Sequence, residues 1–178
     1  MPGGRGPLTK GRFYYATMRF IPYDREAAVN YAERWALSRN PAYYDFSDLG
    51  GDCTNFVSQC LYAGCGVMNY TPETGWYYRS LNNRSPSWTG VAPFYRFLTA
   101  NRGVGPYAGV ATRAEMMPGD VIQLGNGERF YHTLLVLEAS PYQIYIASHS
   151  YDSLWRALDT YNYRQIRYLH IAGARAWQ

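Results

Sequence analysis

Long hydrophobic runs, a disulfide framework, metal-binding motifs and any acidic residue before position 24 are all missing from this 178-residue chain. No stretch approaches the ~20 apolar residues that a membrane-spanning helix requires. The three cysteines, at positions 53, 60 and 65, are odd in number and give no disulfide framework. There is no C-x-x-C pair and no H-E-x-x-H, and His132, His149 and His170 are scattered. A zinc site is therefore not expected, and no cofactor is either. The net charge of +4 is carried by the start of the chain, where Arg5, Lys10, Arg12 and Arg19 precede Asp24, the first acid. From residue 23 onward 13 basic and 13 acidic side chains balance, so the fold carries no basic face for a nucleic acid. No internal repeat is visible. The Gly125-Asn126-Gly127 segment is a turn rather than a phosphate loop, since no helix follows it.

What is present suits one globular domain: 47% hydrophobic and 17% charged residues, with an aromatic share of 17% that includes nineteen tyrosines. Aromatics at that density suit either a strand-rich core or a groove for peptide or polymer substrates. Residues 1–22 read as a flexible basic leader, either a tail or an extension ahead of a start at Met18, and residues 23–178 as the domain. The leader is too short and too interrupted by Arg19 for a clear signal peptide. That leaves the compartment open between the cytoplasm and export by another route; the oligomeric state is equally open. Asp24 is the N-cap of a helix over about 25–38, with Ala27, Ala28, Tyr31, Ala32, Trp35 and Ala36 as its apolar stripe.

Gly50-Gly51-Asp52-Cys53 then leads into a second helix. Phe56, Val57, Cys60 and Leu61 recur at helical spacing, and Gly64 marks the expected stop. Cys53 thus falls in the first turn, where free N–H groups and the helix dipole favour a thiolate and can lower a thiol pKa to roughly 3.5–7.5. The same free N–H of Cys53 is the expected oxyanion donor. Cys60, on the same face two turns later, reads as packing. Residues 66–87 are loop-like, and their Trp76-Tyr77-Tyr78 cluster reads either as a satellite core or as the wall of a substrate cleft. A third helix is expected over about 91–101.

Beyond residue 117 the pattern changes to strands: 121–124, 131–137, 143–149 and 164–171, with a short helix expected within 151–158. Helices first and a strand meander after make an α+β layout. A cysteine at a helix N-terminus followed by a histidine opening a strand is the arrangement of papain-like thiol hydrolases. Cys53 is then the nucleophile and His132 the general base and acid. His149, at the end of the next strand, is the expected orienter of His132, with Asp152 as the alternative and His170 read as structural.

Asp52-Cys53-Thr54-Asn55-Phe56-Val57-Ser58-Gln59, Trp76-Tyr77-Tyr78, Trp88, Gly119-Asp120-Val121-Ile122, His132 and Ser148-His149-Ser150 together resemble the bacterial "putative amidase domain" family over roughly residues 24–172. That family is similar to the NlpC-type cell-wall endopeptidases, whose motif runs Asp-Cys-Ser-Gly; Thr54 and Asn55 depart from it. The resemblance implies an α+β, papain-like (NlpC-type) cysteine hydrolase fold, with N-terminal helices packed on an antiparallel sheet. It implies amide or peptide hydrolysis, plausibly of a peptidoglycan-derived peptide. It also implies a substrate-amine contact for Asp52, beside that residue's reading as an N-cap. Thr54, Trp76 and Tyr77 are the other candidate substrate contacts. A catalytically idle peptide- or glycan-binding module and an acyl transferase on the same scaffold are the alternatives.

Overall fold

The computed structural model describes residues 17–178. Strand β1 (Met18–Ile21) opens them and pairs antiparallel with the end of the chain, from Met18↔Trp177 to Ile21↔Ala174. The expected leader therefore ends sooner than residue 22. Gly173 has no side chain, and the Phe20 ring occupies the space a Cβ would need there. Residues 1–16 of that expected leader lie outside the described residues.

Helix α1 (Arg25–Trp35) starts as expected, with the Asp24 carboxylate accepting the Ala27 N–H at 2.9 Å. It ends three residues before the expected boundary. Helix α2 (Cys53–Cys65) begins at Cys53 and runs past Gly64 to Gly66, which takes the left-handed conformation (φ 66°) and closes the helix. Gly64 has a different task. Tyr23 and the Asp24 carbonyl approach so closely that an added Cβ would sit 2.4 Å from the ring. Gly64→Ala is accordingly expected to cost about 2 kcal/mol by overpacking, against about 1 kcal/mol for Gly66→Ala. Urea unfolding of the two variants checks this order.

The 66–87 segment is more ordered than a loop. It holds a small hairpin, β2 (Tyr78–Ser80) and β3 (Asn83–Arg84), before the one-turn helix α3 (Pro86–Thr89) and helix α4 (Val91–Ala100). Strand β4 (Gly105–Ala111) follows, absent from the sequence reading because it is short of the apolar alternation that marks a strand.

The remaining strands are β5 (Val121–Gly125), β6 (Phe130–Ala139), β7 (Ile144–Ser148), β8 (Ser153–Ala157) and β9 (Gln165–Trp177). Strand β8 and a 3-10 turn at Leu158–Thr160 stand where a short helix was expected. Ile146↔Arg156 pairing on β7 decides for strand. The seven strands form one antiparallel sheet in the order β1-β9-β5-β6-β7-β8, with β4 on the other edge of β9.

Both faces of the sheet are covered, which explains the near-continuous apolar runs of β5 and β6. Val121, Leu135, Leu137, Ala147, Leu169 and Ile171 face the helices. Ile122, Leu124, Leu134, Val136, Ile144 and Ile146 face a second core closed by Met116 and Leu158. Helix α2 lies in the centre of the first core and is buried from Cys53 to Leu61, as a helix covered on nearly all sides must be. No helix of the described residues is long and apolar enough to cross a membrane.

Candidate active site

Two glycines in left-handed conformations, Gly50 (φ 98°) and Gly51 (φ 109°), turn the chain into α2. Asp52 follows at the N-cap, but its carboxylate does not cap the helix. Its Oδ1 accepts from the Phe46 N–H at 2.8 Å and from Asn55 Nδ2 at 2.9 Å, and its Oδ2 meets His149 Nδ1 at 2.5 Å. The network continues from Asn55 Oδ1 to the Trp88 indole N–H and from His149 Nε2 to the Trp35 carbonyl. Asp52 is fully buried and does not line the cleft, so it is not placed to meet a substrate amine. Both readings made for it from the sequence give way to a structural one. The free N–H of Cys53, by contrast, finds no acceptor among the described residues.

The Cys53 thiol lines a cleft of about 470 Å³ together with His132, Gly51, Tyr131, Ser150, Tyr151, Arg156 and Tyr161. The cleft lies where α2 and β6 both begin, beside the turn after β7. Helix and strand are pinned there by Thr54 Oγ1 and Thr133 Oγ1, 2.9 Å apart. Thr54 is therefore a buried strut and not a substrate contact. Trp76 is fully buried as well: it packs 4.7 Å from Trp88 and donates to Ser58 Oγ. Tyr77 is half-buried against Tyr70, outside the cleft lining. The aromatic cluster is thus a core under the 66–87 segment. A cavity of about 510 Å³ near Asn69, Arg96 and Arg102 contains no cysteine or histidine.

His149 does not orient His132. The β6–β7 register pairs Leu135 with Ala147, so the position across from His132 is 150. Side chains alternate between the faces, and His149 follows Ala147 toward the helices. There it stacks on Phe56 at 4.1 Å and bonds Asp52. Ser150 takes the place beside His132 and its Oγ accepts the Asp52 N–H at 2.8 Å. Asp152 is not with His132 either; it holds Arg39 in a two-pronged contact at 2.9 and 3.0 Å. His170 bonds Asp120, as a structural histidine does. Of the cleft's other residues, Tyr151, Arg156 and Tyr161 were not singled out from the sequence, and Ser150 only within the Ser148-His149-Ser150 match, with no role given to it. Two of the four, Ser150 and Tyr151, have positive φ, as does Trp155 next to Arg156, the kind of strain that collects at functional sites.

A family model described as "Putative amidase domain" matches residues 22–172. The chain belongs to that family. The family's description suggests, at a coarse level, hydrolysis of amides. It is 38% identical over 144 residues to the uncharacterized protein YhbB of Bacillus subtilis (strain 168), covering 78% of this chain and 45% of that protein. It is 30% identical over 141 residues to the uncharacterized protein YjcM of the same strain, covering 74% of this chain and 32% of that protein. The chain thus spans less than half the length of these curated relatives. No solved structure matches it.

The amidase domain's two cleft groups are both shifted toward their neutral forms. Burial pushes the Cys53 thiol up, outweighing the N–H of Thr133 and the Thr54 side chain that favour the thiolate. Burial thus opposes the low thiol pKa expected from the helix N-terminus. Burial, aided by the positive charge of Arg156, lowers His132 to about 4. Among the described residues no three His, Cys, Asp or Glu side chains are grouped to hold a metal.

The His132 shift makes stability depend on pH. In the unfolded chain a histidine titrates near 6.5, so between that value and about 4 the unfolded state binds more protons. This stability is present above about pH 6.5 and is lost as pH falls toward 4, reaching a total of about 3 kcal/mol. Denaturant unfolding at pH 7.5 and pH 4.5 should show a smaller acid loss for His132→Gln than for the parent chain.

Proposed function

We propose that this amidase domain is a thiol-dependent amide hydrolase of papain-like type, with Cys53 as nucleophile and His132 as base and acid. The carrying observation is that Cys53, at the first position of α2, and His132, near the start of β6, line one cleft. The proposed substrate class is a peptide, with peptidoglycan-derived peptides as the leading candidates. This extension rests on the likeness of the cysteine motif to cell-wall endopeptidases.

The resting groups are a neutral thiol and a neutral imidazole lining one cleft. His132 takes the thiol proton as the sulfur attacks the carbonyl carbon. The oxyanion then meets the free Cys53 N–H, aided by the positive end of α2. The imidazolium formed on His132 passes its proton to the leaving amine, whose C–N bond breaks. Water, deprotonated by His132, finally cleaves the thioester and restores the thiol. Nothing in the cleft supplies a carboxylate to orient His132, so orientation falls to its packing between Tyr131 and Tyr161.

The test is hydrolysis of a panel of muropeptides of defined stem composition, before and after thiol alkylation. Amine release that vanishes on alkylation supports the reading. Amine release that survives complete Cys53 alkylation overturns it.

A further inference from the structure

The cleft contains a charge that the hydrolytic scheme does not use. Among the described residues Arg156 is the only charged side chain lining it. The side chain is held rather than free. Its Nε donates to Thr160 Oγ1 at 2.9 Å, its Nη2 donates to the Thr160 carbonyl at 3.3 Å, and its guanidinium lies 3.8 Å over the Tyr161 ring. That ring in turn lies 5.9 Å from the His132 imidazole. The remaining amino group, Nη1, has no hydrogen-bond partner among the described residues.

No carboxylate of the fold is placed to neutralise Arg156. Asp52 is committed to His149, Asp152 to Arg39 and Asp159 to Arg113. Nor does the chain before Asp24 contain an acid to supply one. A fixed guanidinium with an open donor, beside a nucleophile and in a concave site, is the arrangement that recognises an anionic group.

We propose that Arg156 is a specificity residue of this cleft and takes a carboxylate carried by the substrate close to the reacting amide. One cation with no second beside it matches a single negative charge better than a phosphate dianion. The inference rests on the Cys53 cleft being the reacting site. It also narrows the substrate class to peptides or amides with a free carboxylate near the scissile bond. Docking such a group cancels the charge that disfavours protonation of His132. The bound substrate thereby makes its own base stronger.

The experiment needs no turnover. The full chain is alkylated with iodoacetate or with iodoacetamide, and modification of Cys53 is followed by peptide mass mapping. Both reagents alkylate the sulfur to a thioether and expel iodide, and they differ only in a carboxylate against a carboxamide. Cys60 is fully buried and serves as an internal control.

The iodoacetate-to-iodoacetamide rate ratio at Cys53 is expected to fall on the order of fivefold in Arg156→Gln. It should hold in Arg156→Lys, fall further in Arg156→Glu, and shrink with added salt in the parent chain. Ratios equal across the four chains would overturn the proposal. So would a salt-independent ratio in the parent chain, a measurement that stands even if a variant fails to fold. In hydrolysis, Arg156→Gln should raise KM for a substrate with a free carboxylate relative to KM for its carboxamide analogue, a ratio from which any common effect through His132 cancels. Failure of every amide to turn over would count against the hydrolase reading alone, and the alkylation ratio would still decide the role of Arg156.

Discussion

Cys53→Ala is expected to abolish amide hydrolysis, lowering kcat by roughly 10⁴-fold or more, while the domain stays folded. The sulfur is the one nucleophile in a cleft whose other groups are an imidazole, a guanidinium, phenols and a serine engaged with the Asp52 N–H. Its removal deletes one small atom at the end of a helix held by Thr54, Phe56 and Val57, so the stability cost is about 1 kcal/mol. Cys60→Ala and Cys65→Ala are the controls. Both thiols are buried and burial pushes both up, but neither lines the cleft. Those variants should lose stability of the same order and retain rate. Activity in Cys53→Ala comparable to the parent would remove the cysteine from the mechanism.

Asp52→Ala carries the largest expected loss of stability, about 3–5 kcal/mol. The substitution strands three donors at once: the Phe46 N–H, the Asn55 amide and His149. His149→Ala is expected to cost a comparable amount, because the Asp52 carboxylate would stay buried with no donor on Oδ2 within hydrogen-bond distance. Arg39 Nε, 3.2 Å from Asp45 Oδ2, lies 3.8 Å away. Asp52→Asn separates charge from connectivity. Its Oδ1 keeps the Phe46 and Asn55 bonds, its Nδ2 donates to His149 Nδ1, and His149 Nε2–H still reaches the Trp35 carbonyl. Its loss should be about 1 kcal/mol. Thermal unfolding of the three variants measures the contrast. If Asp52→Asn is as unstable as Asp52→Ala, the pair depends on its charges. If His149→Ala melts like the parent but loses catalytic rate, the structural role assigned to His149 is wrong.

Much of the molecule could be read from local chemistry. Asp24 as N-cap, Cys53 in the first turn of α2, Pro93 in the first turn of α4 and the strands read at 121–124 and 131–137 all follow from capping, spacing and apolar runs, the strands extending to 125 and to 130–139 in the fold. These signals act over a few residues, within the span of one turn or one strand. Helix ends were less legible. Gly64 and Gly66 look alike in sequence, and only the approach of Tyr23 reveals which one closes a helix and which one makes room.

The sequence by itself determined the setting of Cys53 and the order of helices and sheet, since a cysteine after Gly-Gly-Asp and a histidine opening an apolar strand are local facts. The tertiary structure alone decided the partners. The β6–β7 register, one residue away from the hairpin that strand spacing implied, sent His149 to the buried Asp52 and left position 150 beside His132. A one-residue change of register reverses every face of a strand, and no local pattern records it when both faces of the sheet are buried. In the same way Arg156 looks like any surface cation in the sequence. Its place in the cleft exists only because β8 folds back along β7 and Tyr161 stacks beneath it.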